Sequence, residues 1–143
     1  KRQGLLLFTN NNRLKTRLLD PKGGHARTYH VQVEGEASPE QLAQLKAPMT
    51  LRIKGKSFIT QGCSARIINP SWPPRTPPIR VRKSVPDSWL ELTLYEGKNR
   101  QVRRMTAAVG LPTLRLIRVA MGDWELGELG TGEWKELTNN PTP

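Results

Sequence analysis

The stretch from Ser88 to Gly110 constrains the fold most, because a half-buried strand leads directly into a short amphipathic helix. Leucine occupies every second position from Leu90 to Leu94, which predicts a sheet with one buried face. At about 100° per residue, the apolar and basic residues that follow fall on opposite sides of a helix, which Gly110 ends. The apolar side carries Val102, Met105 and Val109, and the basic side carries Arg100, Arg103 and Arg104. The pattern predicts a rigid base that holds guanidinium groups for an anion.

The size and charge of the chain indicate one compact domain with a polyanionic partner. Its 143 residues suffice for a single hydrophobic core. Lys and Arg number 23 against 12 Asp and Glu, a net charge of +11, which favours nucleic acid or an acidic membrane. The basic residues are spread over many predicted elements, whereas a membrane-surface protein gathers them on one amphipathic helix. RNA is therefore the favoured partner.

Several other classes of protein are disfavoured by the sequence. The apolar run Leu5–Phe8 is far shorter than the ~20 residues that span a bilayer, and no signal peptide opens the chain, which predicts a cytoplasmic protein. Cys63 is the sole cysteine, so we expect a buried structural thiol and no disulfide framework. His25 and His30 have no third ligand nearby in sequence, so we expect surface or packing roles and no metal.

The remaining patterns predict strands and helices along the chain. The consecutive apolar residues of Gly4–Thr9 predict a central strand, and because it starts almost at residue 1, we expect the sequence to be cut inside a larger domain. Arg27–Gly35 alternates like a half-buried strand, and the cap Ser38, the N1 proline Pro39 and the capping-box glutamine Gln41 predict the start of a helix. We also expect a helix after Asn12 and a strand–turn–strand over Leu51–Ile68 that turns at Lys54–Lys56. An extended proline-rich loop is expected over Asn69–Arg80. Two further strands are expected, one over Pro112–Met121 and a short one over Glu133–Leu137.

Four segments resemble one known family. The run Gly97–Met105, read as Gly-Lys-Asn-Arg-Gln-Val-Arg-Arg-Met after a strand that ends in Tyr-Glu, closely resembles the signature of the ribosomal pseudouridine synthases of the RsuA type. Gln3–Asn10, Arg27–Gly35 and Thr113–Gly122 are similar to three other segments of that family. Together they extend the resemblance over nearly everything from Lys1 to about Thr138. Pro77–Ser84 and Leu94–Ala107 look most like its RluE subgroup, which acts on large-subunit ribosomal RNA.

The resemblance implies a fold and a reaction. The expected fold is α+β, the pseudouridine synthase fold, with a largely antiparallel, bent mixed sheet, flanking helices and a basic RNA-binding cleft, and residues 1–143 form its catalytic domain. The expected enzyme isomerises a specific uridine of large-subunit ribosomal RNA to pseudouridine and acts as a monomer without metal or other cofactor. In this family an aspartate attacks the target uridine, and the glycosidic bond between uracil and ribose breaks. The uracil then rotates and rejoins the ribose through its C5 atom.

The resemblance also assigns roles to single residues. Arg103 would pair with the nucleophilic aspartate, a role that suits the charged, bidentate guanidinium. Tyr29 would stack on the base and help move its proton, and Leu116 would line an apolar wall that excludes water. The residues expected to contact RNA are Lys98, Arg100, Arg104, Arg115 and Arg118.

Plainer interpretations of the same residues stay open. An arginine-rich helix face is usually just solvated, and Arg103 could bind phosphate as Arg100 and Arg104 would. Tyr29 shares a strand face with valines, so it could simply pack in the core, and Leu116 is a core leucine in either case.

The chain departs from the family pattern at its start. The family has the motif Asp-x-x-[Ser/Thr]-Glu-Gly, and Lys1-Arg2-Gln3-Gly4 stands at the end of that motif in this chain. We therefore expect the aspartate two places before Lys1. We also expect the chain to lack the first strand and the catalytic loop of the domain. Asp20, Asp87 and Asp123 do not match the position of the nucleophile. One alternative is therefore a non-catalytic basic RNA-binding module, and a weaker one is a scaffold that offers Pro73–Pro78 to SH3-like domains.

Overall fold

The fold is an α+β arrangement, seen in a computed structural model that describes residues 2–5, 25–73, 85–98, 100–122 and 124–126. Within these ranges the chain forms eight strands and two helices. The strands are β1 (Arg2–Gly4), β2 (Arg27–Glu34), β3 (Thr50–Ile53), β4 (Lys56–Ile59), β5 (Ser64–Ile68), β6 (Asp87–Leu94), β7 (Thr113–Met121) and β8 (Trp124–Glu125). The helices are α1 (Pro39–Lys46) and α2 (Gln101–Ala108).

The strands form one mixed sheet and a separate hairpin. The sheet has the order β1-β7-β2-β6-β5, with β8 paired to the end of β7, while β3 and β4 pair only with each other among the described strands. β1 runs parallel to β7, and the other described pairs are antiparallel. The ladder between β2 and β7 shifts register between Thr28 and Tyr29 and between Gln32 and Val33. Such bulges bend the strands that carry them, as the predicted bent sheet requires.

The core lies on one face of this sheet. Residues 29, 31 and 33 of β2 and residues 90, 92 and 94 of β6 are buried, which confirms the predicted alternation. Val102 and Met105 of α2 pack in the same cluster, and so does Leu45 of α1. The start of α1 is fixed as predicted, because Ser38 and Gln41 form a reciprocal capping box. The two helices therefore cover one face of the sheet.

The α2 helix differs from its prediction in two ways. Arg100 is not on the helix but precedes it as the N-cap, with a left-handed backbone at φ 52°. The buried side also includes two polar residues, Gln101 and Thr106, and the Thr106 hydroxyl lies 2.7 Å from that of Thr113 on β7. Gly110 ends the turn at φ 84°, as predicted. Hydrogen bonds made by the fold allow polar groups on a face that was predicted to be purely apolar.

The segment predicted as strand–turn–strand over Leu51–Ile68 holds three strands. The predicted turn is present, because Lys54 and Gly55 both have positive φ and join β3 to β4. The predicted second strand does not pair with the first, because β5 joins β6 in the main sheet. Between β4 and β5, the backbone N–H of Thr60 donates to the carbonyl of Met49 and that of Cys63 donates to the carbonyl of Lys46. The chain between the two strands is therefore bonded to the segment around the end of α1.

The first described strand, β1, covers Arg2–Gly4 and forms one end of the described strand order. Of the central strand predicted over Gly4–Thr9, only residues 4 and 5 are described, and residues 6–9 lie outside the described residues. Residues 69–73 form no helix or strand, in agreement with the predicted loop. The rest of that loop, the helix expected after Asn12 and the strand expected over 133–137 lie outside the described residues.

Two glycines with positive φ provide a matched test of packing beside α1. Gly62 has φ 86°, and a Cβ there would lie 2.5 Å from the carbonyl oxygen of Lys46, whereas Gly55 has φ 79° with nothing within 4 Å. Backbone strain alone costs about 1–2 kcal/mol, and steric overlap adds roughly 1–3 kcal/mol. We expect Gly62→Ala to lower the free energy of unfolding by more than Gly55→Ala in urea titrations. Equal losses would show that the close approach to Lys46 has no energetic consequence.

Candidate active site

A cleft opens where β2, β7, the loop after β6 and the start of α2 meet. It has a volume of about 310 Å³. Its lining residues are Arg27, Tyr29, Leu94, Glu96, Gly97, Lys98, Arg100, Gln101, Val102, Arg103, Leu116 and Arg118. These residues come from three segments, the first and last of which are more than 80 residues apart in sequence, so the cleft is a product of the folded sheet.

The three residues expected to take part in catalysis all line this cleft. Tyr29 lies opposite Arg118 in the β2–β7 ladder, and Val31 lies opposite Leu116. Opposed residues share a face of a sheet, so the tyrosine ring and the leucine point to the same side. Arg103 reaches the cleft from the first turn of α2. Tyr29 is 6% exposed and Leu116 5%, so both could contact a base that is removed from water.

The cleft is strongly cationic. Five of its lining residues carry positive charge, namely Arg27, Lys98, Arg100, Arg103 and Arg118. Among the described residues, Glu96 is the one carboxylate in the lining, so the formal balance of these residues is five minus one, or +4. A concave surface of one sign focuses its field and raises the local concentration of the opposite charge. The cleft is therefore suited to a polyanion such as RNA.

The Glu96 carboxylate holds the loop that leads into α2. It is 5% exposed, and its Oε2 accepts hydrogen bonds from the backbone N–H of Gln61 at 2.8 Å and from Nε2 of Gln101 at 2.9 Å. The amide oxygen of Gln101 in turn accepts from the backbone N–H of Lys98 at 3.1 Å. Because these donors are satisfied inside the fold, the loop is held in one shape. Glu96 thus positions the cationic rim.

Arg27 is a cleft residue that the sequence interpretation missed. It is buried, its Nη1 donates to the carbonyl of His25 at 3.4 Å, and a Cβ on Gly97 would lie 3.3 Å from its Nε. The loop at Gly97 therefore passes directly over this guanidinium. The alternation of β2 could have revealed it, because Arg27 lies two positions before Tyr29 and so on the same face.

The residues expected to contact RNA have different surroundings. Lys98 and Arg100 are exposed at the rim of the cleft, where an RNA backbone could reach them. Arg104 does not line the cleft, and its Nη1 donates to the carbonyl of Arg52 at 3.3 Å. Arg118 lines the cleft but is buried, and its guanidinium donates twice to the carbonyl of Leu5. This bond joins β7 to the residue after β1.

The expectation that Arg115 lies near the cleft is wrong. It lies opposite Gln32 in the ladder and so on the other face of the sheet from Tyr29. Its Nη1 donates to the carbonyl of Pro73 at 2.7 Å, and its guanidinium lies 6.0 Å from the ring centre of Trp89. Strand alternation separates Arg115 from the cleft, since residues at odd spacing point to opposite faces.

His30, which was considered as a metal ligand, is bonded to other side chains of the sheet. His30 bonds to Glu91 at 3.1 Å and accepts from Trp72 at 3.0 Å, so it belongs to a polar cluster on the face opposite the cleft. In the described part of the chain, no three His, Cys, Asp or Glu side chains gather where they could hold a metal ion. Neither α1 nor α2, the helices described, has the length or apolar character to cross a bilayer.

Cys63 is a half-buried thiol whose reactivity we expect to be low. Its Sγ donates to the carbonyl of Leu45 at 3.2 Å. Burial, together with the nearby Glu96 carboxylate, raises the pKa of the thiol to about 11, against about 8.5 for a free cysteine. At pH 8 we expect labelling by a disulfide reagent to be about 100-fold slower than in the urea-unfolded chain, because only the thiolate reacts. Equal rates in both states would contradict this environment.

Comparisons with known proteins agree with this geometry. The family model for RNA pseudouridylate synthase matches residues 2–108. The chain is 50% identical over 145 residues to ribosomal large subunit pseudouridine synthase E of Xanthomonas axonopodis pv. citri, covering 99% of this chain and 74% of the relative. It is 43% identical to the enzyme of the same name from Vibrio parahaemolyticus, covering 94% of this chain and 56% of that one.

A solved structure supports the same assignment. The fold superposes on a crystal structure of pseudouridylate synthase with a TM-score of 0.73 and 27% sequence identity, covering 91% of this chain and 49% of that one. The mixed, largely antiparallel sheet, with the two helices of the described residues, is thus the pseudouridine synthase fold, as predicted. With the family model matched over three quarters of its length, the chain belongs to the RNA pseudouridylate synthase family.

Proposed function

We propose that this chain forms the catalytic domain of an enzyme that isomerises a uridine of large-subunit ribosomal RNA to pseudouridine without a cofactor. The observation that carries the proposal is the convergence of Tyr29, Arg103 and Leu116, from three separate segments, on one cationic cleft. The names of the Xanthomonas and Vibrio relatives support ribosomal RNA of the large subunit as the substrate.

Each of the three side chains has a role that its position supports. Arg103 orients and keeps ionised the carboxylate that attacks the nucleotide, since a guanidinium stays charged and grips both carboxylate oxygens. The ring of Tyr29 lies beneath the base, and its hydroxyl helps to move the proton released at C5. Leu116 provides an apolar surface against which the detached uracil turns away from water.

We propose that the nucleophilic aspartate stands two places before Lys1, as the family motif requires. The register of β1 supports this position, because Arg2 pairs with Leu116, which lines the cleft. A segment that leads into β1 would thus pass beside the cleft. Asp87 is no substitute, because it accepts a hydrogen bond from Gln32 at 2.7 Å in an exposed position at the start of β6. Asp20 and Asp123 lie outside the described residues.

RNA binding is expected to be strongly salt-dependent. The net charge of +11 and the cationic cleft imply several phosphate contacts. For single strands the log–log slope is about −0.7 per neutralised phosphate, so several contacts give a slope of roughly −3 or steeper. The slope is measured by fluorescence anisotropy with labelled RNA over about a fourfold range of salt, from about 50 to about 200 mM. A dissociation constant that barely moves would contradict an electrostatic RNA site.

The substrate is tested by mapping pseudouridine in ribosomal RNA from cells with and without the gene for this protein. We expect one pseudouridine to disappear from the large-subunit RNA and to return when the gene is restored. Loss from small-subunit RNA instead would contradict the substrate. An unchanged map, with RNA still bound by the purified protein, would favour the non-catalytic binding module. A monomeric state and a cytoplasmic location stay predictions.

A further inference from the structure

The β3–β4 hairpin stands apart from the main sheet and is basic. We call residues 50–59 the hairpin arm. Its exposed cations are Arg52, Lys54 and Lys56. No aspartate or glutamate occurs between Glu40 and Asp87, so no acidic residue of this long segment offsets them. A charged surface without counterions of its own attracts a polyanion from solution.

One face of the hairpin arm has no covering element among the described residues. Thr50 lies opposite Ile59, and Arg52 lies opposite Ser57, so these four side chains share a face, and all four are exposed. The opposite face is different, since Leu51 is buried and Phe58 is partly buried. An open face that combines a guanidinium and two hydroxyls offers the donor groups that commonly contact RNA phosphates.

The tip of the hairpin arm projects into open space. Lys54 and Gly55 form its two-residue turn, both with positive φ, and a Cβ on Gly55 would have nothing within 4 Å. The Arg52 side chain donates to the carbonyl of Gly55 at 3.0 Å and so stabilises this turn. The tip can therefore contact a ligand without first rearranging.

Three contacts fix the hairpin arm beside the cleft. The ammonium of Lys98, a rim residue, lies 5.1 Å from the ring centre of Phe58. The Arg104 guanidinium on α2 donates to the carbonyl of Arg52. At the base of the arm, the backbone N–H of Gln61 donates to Glu96, the same carboxylate that holds the loop before α2. The arm and the cationic rim therefore form one connected basic surface.

We propose that the hairpin arm is a second RNA-binding surface, which holds the phosphate backbone of the RNA strand next to the target nucleotide. The inference rests on the proposed function for its ligand, RNA. An RNA strand that follows the rim from Arg100 to Lys98 meets the arm next, because Lys98 packs on Phe58. The arm therefore adds affinity and orientation, while the chemistry stays in the cleft.

The test compares two variants that lower the net charge equally. Lys54→Asn with Lys56→Gln removes two cations from the tip, and asparagine tolerates the left-handed backbone at position 54. The control, Lys46→Gln with Gln44→Glu, changes the charge by the same amount on exposed positions of α1, which packs against β5. Binding of labelled large-subunit RNA fragments is measured by anisotropy over a salt series.

We expect the arm variant to bind RNA about tenfold more weakly at moderate salt and to reduce the salt slope by roughly 1.4–1.8, the value for two lost phosphate contacts. The α1 control should stay within about twofold, and Lys54→Arg with Lys56→Arg should retain the affinity, because the charge is kept. Equal losses in the arm and control variants, or no loss in either, would overturn the proposal. Pseudouridine formation by the protein with its upstream segment and without arm substitutions is assayed separately, so that its absence would count against the proposed function alone.

Discussion

Replacing Arg103 by alanine is expected to lower turnover by two to three orders of magnitude while changing RNA affinity by less than about threefold. Arg103 is half-buried and lines the same cleft as Tyr29 and Leu116. Removing a buried cation beside a carboxylate costs about 3–5 kcal/mol, and each 1.4 kcal/mol corresponds to roughly a tenfold change in rate. Turnover at saturating RNA and the dissociation constant are measured on the same preparation of the protein with the upstream segment that carries the proposed aspartate.

Arg104 is the matched control for Arg103, because it is the next residue on α2. Its side chain points to the hairpin arm and donates to the carbonyl of Arg52. We expect Arg104→Ala to weaken RNA binding and to leave the rate at saturating RNA much less affected than Arg103→Ala does. If both variants lowered affinity and rate in parallel, the separate roles of the two arginines would be wrong.

Replacing Tyr29 by phenylalanine is expected to lower turnover by about 100-fold, the lower end of what a proton-transfer group contributes. The ring stays, so stacking on the base and packing in the core are kept, and RNA affinity should change little. Tyr95→Phe is the control, since Tyr95 is 51% exposed at the end of β6 and does not line the cleft. Full activity in Tyr29→Phe would mean that the tyrosine serves only in packing.

The strands and helices that define the sheet could be predicted from local patterns. Alternation in β2 and β6 predicted which side chains are buried, and the capping residues Ser38 and Gln41 predicted the start of α1. These signals are local, because the period of a strand and the capping of a helix depend on neighbouring residues. The family motif predicted a shared site for Tyr29, Arg103 and Leu116, and all three line one cleft. No local pattern could predict this.

The features that were missed depend on contacts between distant segments. Glu96 is a buried carboxylate that accepts hydrogen bonds from Gln61 and Gln101, and the strand pattern does not reveal these two donors. Odd spacing puts Arg115 and Arg118 on opposite faces of β7, but the register of β7 against β2 determines which of them shares the face of Tyr29. β5 pairs with β6 and not with the preceding hairpin. Register and long-range pairing are set by the whole sheet, so a single segment does not reveal them.

The most direct measurement of the central claim is the release of tritium from C5 of labelled uridine in ribosomal RNA. The protein is assayed with the upstream segment that carries the proposed aspartate, and again with asparagine at that position. We predict that the first form releases tritium and that the asparagine form binds RNA but releases none, because Arg103 then has no carboxylate to hold in the cleft. Undiminished release by the asparagine form would contradict both the nucleophile and the catalytic role of the cleft.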